Sequence, residues 1–190
     1  MSISEADLIG LSEPWTRLHR RVATSPGAIV DLGCATWDWT RRFFGSKRVV
    51  AADPFETDPM VDGVALFQGI VTSSIRGHIQ ISREGAGSST RSRANAVEVE
   101  AITFADLLER HQVDQVAALK INTEGSEYEL LINLSEQQLS RIDQIAVSFH
   151  DFIGIGSPRA VEAVLGYLRT WYDVVLIDGR WSWYLCVRRA

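Results

Sequence analysis

The chain has 190 residues, of which 46% are hydrophobic and 23% are charged, a composition typical of one globular domain. Its formal net charge of −5 argues against a protein that coats nucleic acid, because tight binding to the phosphate backbone usually requires a basic excess. Residues 1–7 lack the basic start and apolar core of a signal peptide. No apolar run approaches the ~20 residues that span a bilayer. We therefore expect a cytoplasmic protein that binds neither nucleic acid nor membrane.

The chain alternates between helical and buried-strand patterns up to residue 170. Capping residues and apolar spacing over residues 12–22 predict a helix, and we expect residues 1–27 to form a helical lead-in. Residues 72–95 are rich in serine and arginine, which predicts a long loop or an irregular hairpin. The other predicted helices cover residues 37–44, 104–110, 126–133 and 158–170. The predicted strands cover residues 28–32, 48–52, 64–71, 97–102, 116–121 and 142–149.

The C-terminal residues predict how the sheet ends. Two apolar runs, 172–177 and 183–187, flank an Asp-Gly turn, a pattern that indicates an antiparallel hairpin. Strands that alternate with helices predict an α/β fold, in which a mostly parallel, seven-stranded, Rossmann-like sheet is covered by helices on both faces. With its closing hairpin, this pattern resembles the sheets of class I methyltransferases. We expect residues 1–190 to form a single domain with its core at 28–190.

The ligand of such a sheet binds beyond the carboxyl ends of its strands. Gly33 allows a tight turn there, and Asp53 is placed to accept both ribose hydroxyls of a nucleoside. A dinucleotide fingerprint would need glycines where Ala35 and Asp38 stand. The Asp38 carboxylate would repel a pyrophosphate but tolerate a sulfonium, so the sequence favours S-adenosylmethionine over NAD. The expected cofactor-binding residues of these two loops are Asp31, Gly33, Cys34, Ala35, Trp37, Asp53 and Pro54.

The densest polar cluster is Lys-Ile-Asn-Thr-Glu-Gly-Ser-Glu at residues 120–127. It resembles the hallmark of FkbM-type methyltransferases, which reads approximately K-I-D-x-E-G-x-E. Asn122 stands where the family has Asp. Segments 99–108 and 146–150 are also similar to the family, as are the two cofactor loops, so the resemblance covers residues 28–152. The matching hallmark residues are Lys120, Ile121, Glu124, Gly125 and Glu127.

The resemblance implies an S-adenosylmethionine-dependent O-methyltransferase that acts on a hydroxyl of a small molecule or glycan. Asn122 is expected to contact the cofactor. His150 is the candidate general base, because a histidine pKa lies near neutrality; the alternative is a strand-capping histidine. Glu124 would orient the acceptor or assist as base, or else stabilise the turn. Lys120, the third candidate catalytic residue, would pair with Glu124 or Glu127, or be structural.

A metal site is a further interpretation of the same residues. Asn122, Glu124, His150 and Asp151 could supply mixed oxygen and nitrogen ligands to a metal, but their spacing does not require one and we expect none.

Trp37 stands where the family has its second cofactor-loop glycine. Trp37 and Asn122 together motivate the alternative of a catalytically inactive, methyltransferase-fold binding or partner protein. A nucleic-acid methyltransferase would need an Asn-Pro-Pro-aromatic motif, which the sequence lacks. The arginines of the 72–95 segment, Arg76, Arg83, Arg91 and Arg93, suit an anionic acceptor or else a solvated loop.

Overall fold

One large sheet organises the described part of the chain. The structure is a computed structural model that describes residues 3–10, 16–35, 37–43, 45–58, 62–84, 87–89 and 96–189. Its strands are β1 (Leu8–Gly10), β2 (Arg17–His19), β3 (Ala28–Leu32), β4 (Val49–Asp53), β5 (Val64–Thr72), β6 (Gly77–Glu84), β7 (Gly87–Ser89), β8 (Ala96–Thr103), β9 (Val116–Ile121), β10 (Gln144–Ser148), β11 (Tyr172–Asp178) and β12 (Trp183–Arg188). Its α-helices are α1 (Asp38–Arg41), α2 (Phe104–Arg110), α3 (Glu127–Ile132), α4 (Glu136–Ser140) and α5 (Pro158–Leu168), and short 3₁₀ helices occupy Glu5–Asp7, Arg20–Ala23 and His150–Ile153.

The sheet runs in the order β11-β12-β10-β9-β3-β4-β5-β8-β6-β7. The six strands from β10 to β8 are mutually parallel, while β12 lies antiparallel between β10 and β11 and β6 lies antiparallel to both β8 and β7. The mostly parallel arrangement is confirmed. The predicted count of seven strands is wrong, because the described residues contribute ten strands to this sheet.

Two of these ten strands, β6 and β7, come from the segment that was expected to be a loop or an irregular hairpin. Gly77–Glu84 is a regular strand, paired with β8 over Gly77–Ser82. Within it Ile79 and Ile81 alternate with polar residues, and Ile81 is buried. This period of two is the pattern of a strand with one buried face, and the surrounding serines and glycines obscured it.

The N-terminal prediction also differs from the structure. Instead of a helix through residue 22, Arg17–His19 is a strand paired with Leu8–Gly10, and a 3₁₀ helix follows it; residues 11–15 lie outside the described part. The Gln144 side chain accepts a hydrogen bond from His19 N–H at 2.8 Å and donates one to the His19 carbonyl at 3.1 Å. These long-range bonds hold an extended backbone, and such tertiary contacts outweigh local helix signals.

Two apolar layers cover the sheet unequally. Val30 and Leu32 of β3 belong to a large core with the buried residues of α2, α3 and α5. Ile29, on the opposite face, packs in a smaller core with residues of the N-terminal segment and α1. Helices therefore cover one face well, whereas the other has the four-residue α1 and the N-terminal strands. None of the described helices is long and apolar enough to cross a bilayer.

Candidate active site

A cavity of about 390 Å³ opens at the carboxyl ends of β3, β4, β5 and β9. Small-molecule sites commonly enclose about 300–1,000 Å³, so its size suits a nucleoside-sized ligand. The polar side chains of its wall include Asp53, Glu56, Asn122, Glu124 and Glu129, and Gly33 and Ala35 line the cavity beside them. The apolar part includes Leu32, Ala52, Ile70, Val71, Ile75, Ile79, Ile81 and Ile155.

The charges of this wall are all of one sign. Asp53, Glu56, Glu124 and Glu129 line the cavity, and none of the described lining residues is lysine, arginine or histidine. A cleft lined by one sign of charge raises the local concentration of ligands of the opposite sign. The cavity therefore favours a cationic ligand.

Gly33 is where two loops meet beneath the cavity. Its φ is +79°, and a Cβ at this position would lie 2.0 Å from the Asn122 carbonyl oxygen. The Gly33 N–H donates a hydrogen bond to the Ala52 carbonyl at 2.8 Å, and the Asn122 N–H donates one to the Leu32 carbonyl at 3.0 Å. The close approach requires glycine, and it brings the predicted cofactor residues Gly33 and Asn122 together.

Asp53 fixes the loops and faces the cavity. Its Oδ1 accepts hydrogen bonds from the N–H groups of Phe55 and Glu56 at 2.9 and 3.3 Å, and its Oδ2 accepts one from Ala35 N–H at 3.2 Å. A carboxylate offers about four acceptor positions, so roughly one position remains, on Oδ2. Asp53 is thus placed for one further hydroxyl, where the sequence led us to expect two. Asp53, Pro54 and Ala35 all line the cavity.

Asp31 and Lys120 form a buried ion pair on neighbouring strands. They are register partners, and Lys120 Nζ donates hydrogen bonds to Asp31 Oδ1 at 2.8 Å and to the Gly33 carbonyl at 2.6 Å. Thr40 Oγ1 donates to Asp31 Oδ2 at 2.6 Å. Neither charged residue is part of the cavity wall. Their contacts hold the Gly33 loop from behind. Asp31 was expected to bind the cofactor, and the expected pairing of Lys120 with Glu124 or Glu127 is wrong, because its described partners are Asp31 and the Gly33 carbonyl.

Trp37 and Cys34 lie behind the same loop. Trp37 is fully buried, packs in a small cluster with Cys34 and Ala51, and donates a hydrogen bond from Nε1 to Glu56 Oε2 at 3.1 Å. Burial raises the pKa of the Cys34 thiol, and the nearby Asp31 charge adds to the effect, so this thiol stays protonated. Neither residue is in the cavity wall, and the Trp37 indole therefore does not fill the cavity.

Glu124, His150 and Glu127 form a second buried group. His150 Nδ1 lies 2.8 Å from Glu127 Oε1 and its Nε2 lies 3.4 Å from Glu124 Oε1. Burial lowers the pKa of His150, but its hydrogen bonds with Glu124 and Glu127 and their charges outweigh burial and raise the pKa to about 9. The raised pKa and the two carboxylate contacts favour the protonated imidazole at neutral pH, and thus a role for His150 other than the predicted general base.

Glu124 is the member of this group that reaches the cavity wall. The hydrogen bond from His150 lowers the pKa of the Glu124 carboxyl. Its backbone φ is +56°, a left-handed conformation uncommon for residues other than glycine. Such backbone outliers cluster at functional sites, and this one directs a carboxylate to the cavity.

Sequence comparison identifies the family of the chain. Residues 34–171 match the Methyltransferase FkbM domain. The chain belongs to the FkbM methyltransferase family. The resemblance stated for the hallmark is thereby confirmed.

A solved structure has a similar fold. The crystal structure of methyltransferase FkbM from Methylobacillus flagellatus KT superimposes with a TM-score of 0.54 at 13% sequence identity. The match covers 85% of this chain and 43% of that chain, so this FkbM-family chain spans less than half the length of that protein. No curated protein matches the chain by sequence.

Three site residues of this FkbM-family chain were missed from the sequence. Glu56 and Glu129 line the cavity, and neither belongs to a motif that would have identified it. Glu127 was matched as part of the hallmark, but its pairing with His150 was not predicted. A signal was available, because Glu127 shares the buried face of α3 with Leu130 and Leu131 at helical spacing. A carboxylate on such a face needs a partner.

Two of the other candidate ligand groups, His150 and Arg76, already have partners. Among the described residues, no group of three or more histidine, cysteine, aspartate or glutamate side chains is arranged to hold a metal ion. Both ring nitrogens of His150 face carboxylates. The Arg76 guanidinium pairs with both oxygens of Asp106 at 2.7 and 2.9 Å. The Arg83 side chain, Arg91 and Arg93 lie outside the described residues.

Proposed function

We propose that the protein is an S-adenosylmethionine-dependent O-methyltransferase that acts on a hydroxyl of a small molecule or glycan. The observation that carries this proposal is the cavity at the carboxyl ends of the strands, with four carboxylates and no basic side chain among the described residues of its wall. S-adenosylmethionine carries a positive sulfonium and a positive amino group, which suit this field. An anionic dinucleotide would be repelled by it.

The residues present fit the donor. Asp53 would accept a hydrogen bond from a ribose hydroxyl at its remaining position, and Asn122 offers an amide at the neighbouring strand end. The isoleucine side of the wall, which includes Ile70, Ile79 and Ile81, would bury an apolar ring. Cofactor sites of this kind combine a mostly apolar wall with a few polar groups that fix orientation.

In methyl transfer the chain's own part is orientation and control of one proton. When bound, the donor would supply an electrophilic methyl group on a positive sulfur. Glu124 would accept a hydrogen bond from the acceptor hydroxyl and align its oxygen with that methyl, a contribution of proximity and orientation. As the new C–O bond forms and the C–S bond breaks, the hydroxyl proton would pass to Glu124 or to water. His150 would act by holding Glu124 in place.

The charges of the wall also bear on the acceptor. A negatively charged acceptor would have to approach four carboxylates, and Arg76 is already paired with Asp106. The described residues therefore support an uncharged acceptor better than an anionic one. Trp37, which motivated the alternative of an inactive partner protein, lies outside the wall. Only Asn122 remains as a motive for that alternative.

The first test is a calorimetric titration with S-adenosylmethionine. The intact protein should bind it, and Asp53→Asn should weaken binding at least tenfold, since a hydrogen bond to a charged group contributes about 1.5–3 kcal/mol. Asp114→Asn removes the same charge from an exposed position that precedes β9, at the opposite edge of the sheet, and should leave the affinity unchanged. Absence of binding to the intact protein, or equal affinities for all three proteins, would contradict the proposal.

A further inference from the structure

Glu127 has no part in the proposed reaction, although it is a fully buried carboxylate close to the cavity. Its residue is 0% exposed and it is not part of the cavity wall. Its Oε1 accepts hydrogen bonds from the backbone N–H of His150 at 3.0 Å and from the imidazole at 2.8 Å. Its Oε2 accepts one from the Gly125 N–H at 2.7 Å. A single side chain thus ties together the loops that follow β9 and β10.

In the trio Glu127–His150–Glu124, the two carboxylates determine how many protons the His150 imidazole carries. A neutral imidazole has one N–H donor, whereas both nitrogens of His150 face a carboxylate oxygen. Both contacts are satisfied only by the imidazolium. Without the Glu127 charge the ring would keep only one proton, and its contact with the Glu124 carboxylate would lose the imidazolium charge that strengthens it.

The backbone of the turn depends on the same side chain. Glu124 and Gly125 have φ values of +56° and +114°, and the left-handed conformation costs a residue with a side chain roughly 1–2 kcal/mol. Such a conformation persists when surrounding contacts overdetermine it. Here the Gly125 N–H is bound to Glu127, and the Glu124 carboxylate is bound to His150.

We propose that Glu127 is a positioning residue that acts through His150: it keeps His150 doubly protonated on its ring and thereby fixes the Glu124 carboxylate at the cavity wall. This inference rests on the proposed function only in what Glu124 does there. Because the acceptor hydroxyl must lie in line with the sulfonium methyl, a carboxylate that holds the hydroxyl is also close to the sulfonium charge. The affinity for the donor therefore reports where the Glu124 carboxylate lies.

The first experiment follows the ring nitrogens of His150 and the carboxyl carbon of Glu124 by NMR through a pH titration of the ligand-free protein. Other titratable groups near the trio are Asp151 and Tyr128, and burial raises the pKa of Tyr128 out of this range. In the intact protein His150 should titrate near pH 9, and the Glu124 signal should follow it. Glu127→Gln should lower the His150 pKa by at least one pH unit and break this coupling.

The second experiment compares the affinity of Glu127→Gln for S-adenosylmethionine with that of the intact protein at pH 6 and at pH 8. The ratio of the two dissociation constants should be near one at pH 6, where His150 is protonated in both proteins. At pH 8 the variant should bind the donor at least threefold more weakly than the intact protein does, with an affinity close to that of Glu124→Gln. If only net charge mattered, loss of the proton would strengthen the binding of a cation at pH 8. The direction of the change therefore separates positioning from charge.

Matched variants complete the test. The double variant Glu127→Gln with His150→Gln replaces both charged groups by neutral amides of similar size and should fold. The ratio of its affinity for S-adenosylmethionine to that of the intact protein should be the same at pH 6 and at pH 8. Glu136→Gln, an exposed position on α4, should behave as the intact protein. A His150 pKa that Glu127→Gln leaves unchanged would overturn the inference, as would stronger donor binding at pH 8. If the intact protein bound no donor at all, the proposed function would fail, and the NMR titration would still decide on Glu127.

Discussion

Two buried charge clusters lie beneath the same edge of the sheet, and they differ in where they end. The Asp31–Lys120 pair is enclosed: its groups bind each other, Thr40 and the Gly33 carbonyl, and neither charge reaches the cavity wall. The Glu127–His150–Glu124 trio begins at a fully buried carboxylate and ends at one that lines the cavity. One eight-residue hallmark, residues 120–127, supplies charged members of both clusters.

The difference shows that charged residues of one motif serve different purposes. Lys120 supports the loop after β3 through a backbone carbonyl, so its charge is used within the protein. Glu124 is supported by others, and its charge is left for a ligand. A buried ion pair adds little net stability by itself, but breaking one partner leaves an uncompensated charge. The two clusters should therefore respond differently to substitution.

The largest effect is expected from Lys120→Met. It leaves the Asp31 carboxylate buried with the Thr40 hydroxyl as its remaining side-chain donor, and breaking a buried pair in this way costs about 3–5 kcal/mol. The free energy of unfolding in urea measures it. Arg169→Met breaks an exposed pair with Glu162 and should cost less than about 1 kcal/mol. Equal costs for the two variants would mean that the Asp31–Lys120 pair is not an enclosed support.

A pH effect of intermediate size should belong to the trio. The pKa of His150 is raised from 6.5 to about 9 in the folded protein. The proton therefore stabilises the folded state fully below pH 6.5, and this stabilisation is lost as the pH rises through about 9. Since each pH unit corresponds to about 1.4 kcal/mol, the free energy of unfolding should fall by about 3 kcal/mol over this interval.

The double variant Glu127→Gln with His150→Gln provides the control for this pH effect. It lacks the titrating imidazole, so its free energy of unfolding should change little between pH 6.5 and pH 9. Urea unfolding at several pH values measures both proteins. A similar decline in the double variant would assign the pH dependence to other groups and remove the distinction between the clusters.

The sequence predicted those features that depend on residues close together in the chain, and it did not predict those that depend on contacts between distant segments. A helix was expected over residues 104–110, and the structure has that helix, with a reciprocal cap between Thr103 and Asp106. Asp31 and Lys120 were each placed on a buried strand, but Asp31 was assigned to the cofactor and Lys120 to a pairing with Glu124 or Glu127 or to a structural role. Their true partners depend on strand register, which sets which side chains face each other across two strands and cannot be read from either segment alone.

The candidate site shows the same limit. The loops after β3, β4 and β9 were predicted to form the site, and the cavity lies there. His150 was chosen as a base because of the ordinary pKa of histidine, whereas its pKa is set by two carboxylates that lie 23 and 26 positions before it in the sequence. Its chemistry follows from those contacts, which only the folded chain brings together.

The smallest effects should come from two threonines that contact one carboxylate in each cluster. Thr40 Oγ1 lies 2.6 Å from Asp31 Oδ2 and is buried, whereas Thr123 Oγ1 lies 3.4 Å from Glu127 Oε2. Thr40→Val removes a short hydrogen bond to a charge and should cost about 1.5–3 kcal/mol. Thr123→Val removes a long one and should cost about 0.5 kcal/mol, because Glu127 keeps its donors from Gly125 and His150. Urea unfolding of both variants measures the difference. If Thr123→Val proved the more costly variant, the trio would depend on its hydroxyl donor as the enclosed pair does. The two clusters would then differ only in whether one of their charges reaches the cavity wall.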